Sequence, residues 1–130
     1  MKRNLLLLIL PIVLFVTSCQ KNEYVIPNRT IVTSVSPGNW TTNDQGRTYR
    51  AGIDMPEIDE FFNENGAAVV FVSFGTVAYE QIPQVFNGVS YRYTTRPGQI
   101  VITIESSNGT GTVNPPSGPM DVKIVLIESQ

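Results

Sequence analysis

The chain has 130 residues, with 9 basic and 11 acidic side chains, one cysteine and no histidine, and its formal net charge is −2. This charge balance excludes the basic surface that nucleic acids require, so no nucleic-acid partner is expected. Because histidine is absent, His-ligated metal centres and Ser-His or Cys-His nucleophiles are excluded too. The sequence predicts no metal site and no cofactor.

Residues 1–18 have the pattern of a secretion signal. A basic start precedes the apolar stretch 5–16, which as a helix would cover only about 18 Å and is short for a bilayer. Small residues then lead into the only cysteine, and Val16-Thr17-Ser18-Cys19 resembles the bacterial lipobox. We therefore expect a lipoprotein signal peptide and a lipidated Cys19, the alternative being an ordinary signal peptide with an incidental thiol.

Residues 19–29 are predicted to be the lipidated cysteine and a polar tether, which reaches up to about 30 Å at full extension. The residue after Cys19 is Gln20 and not Asp, so the enterobacterial signal for inner-membrane retention is absent. We expect attachment to the outer membrane, on its periplasmic or cell-surface face. Membrane lipid would be contacted through acyl chains such as palmitate, each buried methylene contributing about 0.8 kcal/mol.

Residues 30–130 are predicted to form one all-β domain. After Cys19 the chain contains 13 Val, 10 Ile and 11 Thr but a single leucine, Leu126. β-Branched side chains lose freedom in helices and suit a pleated sheet. Because the only thiol is expected to be acylated, we expect no internal disulfide to support this domain.

Alternating segments separated by Gly and Pro predict seven or eight strands in an antiparallel β-sandwich, immunoglobulin-like or similar. The stretch 67–74 is apolar on both faces, so we expect it to be central in its sheet or covered. Asn87-Gly88 predicts a tight hairpin turn. The other clear strand patterns are 30–36, 48–53, 89–94, 100–105 and 122–128.

One segment, near residues 56–65, predicts a short helix instead. Pro56 suits a first helical position, and the acidic residues that follow suit the positive end of the helix dipole. Asn65-Gly66 predicts a left-handed stop. With that start, Ile58, Phe61 and Phe62 share one side of the helix and are expected to be buried.

Several stretches together resemble a group of small Bacteroidota lipoproteins of unknown function. The resemblance covers roughly residues 39–128 and implies a lipobox signal peptide followed by a single β-rich domain with a proline-started acidic helix. It implies no catalytic or ligand-binding residues. The stretches that carry it are Asn39-Trp40, the run from Ile53 to Phe61, Glu64-Asn65-Gly66-Ala67, Ile82-Pro83 and the closing run from Asp121 to Val125.

Carboxylates are the only acid-base groups present in number. Glu57, Glu60 and Glu64 are spaced to share one face of the predicted helix, which favours a solvated face. A glycosidase needs two carboxyls across a cleft, which a row along one exposed helix does not offer, so a carboxylate-dependent hydrolase is the remote alternative. The stretch 43–46 resembles part of a calcium loop, but without the bidentate Glu it predicts an Asx-type turn.

Trp40 and Tyr79 are the candidate ligand-binding residues, as stacking platforms for a glycan. Trp40 is expected to fold over an open end of the core, and Tyr79 is the aromatic residue most expected to be exposed. Tyr91 and Tyr93 are expected to pack in the core or at a sheet edge. The long segment 106–119 predicts a recognition loop or a mobile connection, and its lack of charged and aromatic residues favours mobility.

The predicted function is therefore that of a lipid-anchored lipoprotein of the cell envelope, not an enzyme, acting as a binding or structural accessory domain. The alternative is a glycan-binding surface protein that uses exposed aromatic residues. The expected partners are membrane lipid through acylated Cys19 and, in addition, an envelope protein or a glycan.

Overall fold

The computed structural model describes residues 27–129, and that part of the chain contains eight strands, one α-helix and one 3-10 helix. The predicted signal peptide, Cys19 and most of the predicted tether lie outside the described residues. No helix within 27–129 has the length and apolar character needed to cross a bilayer. The elements are β1 (Arg29–Val35), the 3-10 helix (Pro37–Asn39), β2 (Thr48–Met55), α1 (Glu60–Asn65), β3 (Ala67–Ser73), β4 (Glu80–Ile82), β5 (Gln84–Phe86), β6 (Val89–Arg96), β7 (Gly98–Ser106) and β8 (Met120–Ile127).

The strands form two four-stranded sheets in which every pairing is antiparallel. Sheet I has the order β1-β8-β3-β4, and sheet II has the order β2-β7-β6-β5. The predicted all-β antiparallel sandwich is thus confirmed, and β3 is central in its sheet as expected. The first strand lies beside the last, whereas in an immunoglobulin constant domain it lies beside the second.

The core lies between the sheets and follows the two-residue period of the strands. Side chains alternate between the inner and outer faces, so every second residue of a strand is buried. On β8 this alternation is complete, whereas β7 is buried on both faces from Ile100 to Ile104. Seven aliphatic or Met side chains of these two strands have no exposed surface. They are Ile100, Ile102, Ile104, Met120, Val122, Ile124 and Leu126.

The helix begins later than the sequence predicted. Residues Pro56 and Glu57 form a turn, and α1 begins at Glu60 because Asp59 caps it. The Asp59 carboxylate accepts a 2.7 Å hydrogen bond from the Phe62 N–H, which satisfies one of the free donors of the first turn. Glu57 therefore lies outside the helix, and the predicted row of three carboxylates on one helical face does not form.

This later start also changes which aromatic residue is buried. Phe62 packs into the core with 7% of its surface exposed, whereas Phe61 is 68% exposed, so the prediction that both are buried is wrong for Phe61. The predicted left-handed stop is wrong as well, because Gly66 has a φ of −90°. Glycine is favoured at position 66 because the Phe62 ring packs closely against its backbone. A Cβ on Gly66 would lie 2.8 Å from a ring carbon of Phe62.

The β5–β6 hairpin turns at the predicted dipeptide. Phe86 and Val89 are paired, which leaves Asn87 and Gly88 as a two-residue loop. Their φ angles are 49° and 77°, the two positive values that a type I′ turn requires. The hairpin places Phe86 and Tyr91 at the same end of the sandwich.

Candidate functional site

A cleft of about 580 Å³ opens at one end of the sandwich. Its floor is an aromatic cluster made of Phe74, Phe86 and Tyr91, and its opposite side is formed by residues 114–119, here called the proline wall. We refer to this cavity as the end cleft. Its volume falls within the range of roughly 300–1,000 Å³ that is usual for small-molecule sites.

Three strands bring the aromatic cluster together. Phe74 directly follows β3 of sheet I, whereas Phe86 and Tyr91 belong to β5 and β6 of sheet II. The rings meet edge to face, with centroids 5.2 Å apart for Phe74–Phe86, 5.5 Å for Phe74–Tyr91 and 5.2 Å for Phe86–Tyr91. This is the preferred geometry of aromatic pairs, and here it joins the two sheets.

The three rings differ in how much of each reaches the solvent. Tyr91 is 6% exposed and Phe86 is half-buried, whereas Phe74 is 41% exposed. An aromatic ring with this much exposure on a folded surface is available to a ligand. Since Phe74 contacts both other rings, its orientation is held by the buried part of the cluster.

The segment that leads into the proline wall is fixed to the domain at two points. The Ser107 N–H donates a 2.8 Å hydrogen bond to the Gly88 carbonyl oxygen in the hairpin turn. The Val113 N–H donates a 2.9 Å bond to the Gly46 carbonyl oxygen, and the Val113 side chain is buried in the core. The segment that the sequence favoured as a mobile connection is thus anchored at its middle and forms one side of the end cleft.

Among the described residues, those that line the end cleft carry no formal charge. Its polar groups are the amides of Asn87 and Asn114, the hydroxyls of Ser117 and Tyr91, and exposed backbone at glycines. Burial raises the pKa of Tyr91 above its ordinary value, so its hydroxyl keeps its proton at neutral pH. The cleft is therefore a neutral site with an aromatic floor and hydrogen-bonding sides.

The end cleft lies at the opposite end of the sandwich from the point where the described chain begins. Arg29 opens β1 and forms a 2.8 Å ion pair with Glu128, beside α1. β1 then runs its full length to Val35, which is paired with Met120 immediately after the proline wall. At about 3.3 Å per residue, the two ends of β1 are roughly 20 Å apart.

The structure does not bring the two sequence-predicted ligand residues together. Trp40 is 7% exposed and belongs to the core, and its indole N–H has no hydrogen-bond partner in the described part of the chain. Tyr79 is half-buried on the outer face of sheet I, where the Lys123 ammonium lies 4.7 Å from its ring and 4.6 Å from that of Phe71. Neither Trp40 nor Tyr79 lines the end cleft.

Sequence reasoning missed the aromatic cluster because its members follow strand patterns. Phe74 ends an apolar run, and Tyr91 alternates with polar neighbours, so both were assigned to sheet packing. The available signal was the position of Phe74, which stands directly before Gly75 where the strand gives way to a loop. An aromatic residue at a strand end can lie in a loop-lined site as readily as in the core.

The loop 42–48 has a self-contained hydrogen-bond network. The Asp44 carboxylate accepts bonds from the Thr48 hydroxyl at 2.6 Å, the Thr48 N–H at 2.9 Å and the Thr42 hydroxyl at 3.0 Å. These bonds, led by the Thr48 hydroxyl, lower the pKa of Asp44 to about 2. The Asp44 carboxylate thus stabilises the loop in which it lies. Within 27–129, no group of three or more His, Cys, Asp or Glu residues is placed to hold a metal.

The end cleft is lined by three aromatic rings and by uncharged polar groups. It can hold a neutral ligand through ring contact and hydrogen bonds. Comparison with protein-family models, with curated proteins and with solved structures found no match to this chain.

Proposed function

We propose that this chain is a lipid-anchored domain of the bacterial cell envelope that binds a ligand in the end cleft and does not act on it chemically. The observation that carries the proposal is the position of the cleft, at the opposite end of the sandwich from Arg29. A chain attached to a membrane upstream of Arg29 would present the cleft away from the lipid surface.

The anchor is the lipobox sequence that ends at Cys19. Acyl chains on this cysteine would hold the domain at the membrane, since each buried methylene contributes about 0.8 kcal/mol. The stretch 20–29 spans up to about 30 Å when extended, and β1 adds roughly 20 Å before the cleft is reached. Such a reach suits the binding of a ligand beyond the lipid headgroups, at the outer membrane.

The lining of the cleft supports binding as its role. Aromatic rings, amides, a serine hydroxyl and exposed backbone hold ligands by contact and hydrogen bonding. The floor is organised in advance by edge-to-face contacts, which lowers the ordering cost of association. The carboxylates Glu57, Glu60 and Glu64, which raised the alternative of a hydrolase, do not line the cleft.

The anchor is tested by fatty-acid labelling and membrane fractionation. We expect the wild-type chain to incorporate an alkyne-labelled palmitate and to sediment with membranes after a high-salt wash. Cys19→Ala should abolish both, whereas the control Ser18→Ala keeps the thiol behind a small residue and should change neither. A Cys19→Ala chain that is still labelled and membrane-bound, or an unlabelled soluble wild type, would overturn the proposal.

The orientation is tested with a fluorophore on a new cysteine, since Cys19 is the only natural one and is expected to be acylated. Ser117→Cys places the label at the proline wall, and Ser129→Cys places it near Arg29. In vesicles that carry a lipid-phase quencher, the label at 129 should be quenched more strongly than the label at 117. Equal or reversed quenching contradicts a cleft that faces away from the membrane.

A further inference from the structure

We infer that the ligand of the end cleft is a neutral saccharide, with Phe74 as the stacking platform and the amides of Asn87 and Asn114 as hydrogen-bonding groups. This inference rests on the proposed binding function and names the chemical class of the ligand. Trp40 and Tyr79, the residues that first suggested a glycan, have no part in it.

The platform is the exposed part of the Phe74 ring. Phe74 lines the cleft with 41% of its surface exposed, and its edge-to-face contacts with Phe86 and Tyr91 limit its rotation. A pyranose ring has a face of C–H groups, which packs against an aromatic face and is attracted by its negative quadrupole. Because the ring is already oriented, stacking on it costs little additional ordering.

The polar groups around the platform match sugar hydroxyls. An amide carries both donors and acceptors, and a serine hydroxyl carries both on one atom, as do the hydroxyls of a saccharide. Within the described part of the chain, the side chains of Asn87, Asn114 and Ser117 make no hydrogen bond to protein. Asn87 stands in the β5–β6 turn and Asn114 in the proline wall, so two separate segments of the lining can offer hydrogen bonds to the hydroxyls of a sugar ring.

Charge decides between neutral and acidic saccharides. A uronate or sulfate group placed in the cleft would lose hydration without gaining a cationic partner, since none of the described lining residues is basic. Tyr91 is neutral at neutral pH because the ordinary pKa of tyrosine is 10.0 and burial raises it further, so the cleft does not acquire a negative charge. A neutral saccharide avoids this loss of charge hydration.

The cleft has room for more than a single small group. Its volume of about 580 Å³ lies near the middle of the range for drug-sized and cofactor-sized ligands. The opening at Phe74 leaves one side of the ligand in solvent. A short segment of a longer neutral glycan therefore fits the shape better than a fully enclosed monosaccharide.

The test is binding of the full chain, in detergent micelles, to immobilised oligosaccharides of neutral hexoses and N-acetylhexosamines. The same array carries uronate-containing and sulfated oligosaccharides and proline-rich peptides, the last because aromatic grooves also bind polyproline helices. We expect binding to neutral saccharides. Phe74→Ala and Asn114→Ala should each weaken it about tenfold or more.

Phe61→Ala is the matched control, since Phe61 is also an exposed phenylalanine but lies on α1 at the other end. It should leave saccharide binding unchanged. Asn114 is exposed and makes no hydrogen bond to the described protein, so Asn114→Ala decides the outcome if Phe74→Ala disturbs folding. Thermal unfolding of each variant shows whether the fold is retained.

The inference is overturned if no neutral saccharide binds, if only acidic saccharides or peptides bind, or if neither cleft variant changes neutral binding. Fatty-acid labelling of the same preparations separates this result from failure of the proposed function. If the chain is acylated and binds only a peptide, through Phe74, the inference of a saccharide ligand is wrong, whereas the proposed binding function is supported. A chain without acyl groups that binds neutral saccharides through Phe74 supports the inference and overturns the anchor.

Discussion

The hydroxyl of Tyr93 on β6 donates a 2.6 Å hydrogen bond to the carbonyl oxygen of Ala68 on β3, and so connects the two sheets directly. β3 extends past the end of the short strand β4 at this point, since β4 pairs only with Val70–Val72. The bond is partly buried, and burial raises the pKa of Tyr93, which keeps the hydroxyl protonated as a donor. A side chain of one sheet thus satisfies a backbone group of the other.

Tyr93→Phe should lower the free energy of unfolding by about 1–2 kcal/mol. The substitution keeps the ring but leaves the Ala68 carbonyl oxygen without this donor, and a buried unsatisfied acceptor carries a desolvation cost. Urea unfolding followed by circular dichroism measures the change. The control is Tyr49→Phe, because the Tyr49 hydroxyl makes no hydrogen bond in the described part of the chain. An equal loss of unfolding free energy in both variants would contradict the role of the inter-sheet bond.

Asp44 should make stability depend on pH in the acid range. The Thr48 hydroxyl and N–H lower its pKa from 3.8 to about 2 in the folded chain, so the folded state favours the carboxylate. The stabilisation is present above pH 3.8 and is lost as the pH falls through about 2. Urea midpoints measured from pH 6 to pH 2 should fall across this window.

Two variants test the source of that pH dependence. Asp44→Asn should flatten the fall, because the carboxylate is gone. Thr48→Val removes the hydroxyl donor but keeps the backbone N–H, so it should reduce the slope only in part. A wild-type slope in Asp44→Asn would show that other groups cause the pH dependence.

Trp40 should tolerate phenylalanine far better than alanine. Trp40→Ala removes a core side chain and should cost about 3–5 kcal/mol. Trp40→Phe also loses packing, but it removes an indole N–H that is buried without a partner, and the burial of such a group costs about 1–3 kcal/mol. We expect a net loss below about 1.5 kcal/mol, and equal damage from the two variants would contradict the unpaired N–H.

Phe61 and Phe62 are neighbours in sequence and should respond oppositely to alanine. Phe62→Ala should lower the free energy of unfolding by about 3–5 kcal/mol, because it opens a cavity in the core beneath α1. Phe61→Ala should change it by no more than about 0.5 kcal/mol, since this ring is mostly in solvent. Thermal or urea unfolding of the two variants side by side checks both values, and a large loss from Phe61→Ala would contradict the observed start of the helix at Glu60.

The helix illustrates how far a local pattern carries a prediction. The acidic residues after Pro56 correctly indicated a helix in a chain otherwise rich in β-branched residues. The pattern placed the helix start at Pro56, because proline suits the first helical position, and did not identify Asp59 as the cap. The hydrogen bond from Phe62 to Asp59 decided this in favour of the later start and, with it, which phenylalanine faces the core.

The amino-acid sequence by itself determined the β class, the central position of β3 and the turn at Asn87-Gly88, because these depend on side-chain branching, two-residue alternation and the positive φ of two adjacent residues. Only the tertiary structure decided the strand order and the end cleft. Phe86 and Tyr91 lie on two strands of sheet II, whereas Phe74 directly follows a strand of sheet I, and each has the pattern of a sheet residue in the sequence. They become a site only when the two sheets pack face to face and bring these positions together at one end, beside a segment that Val113 holds in place.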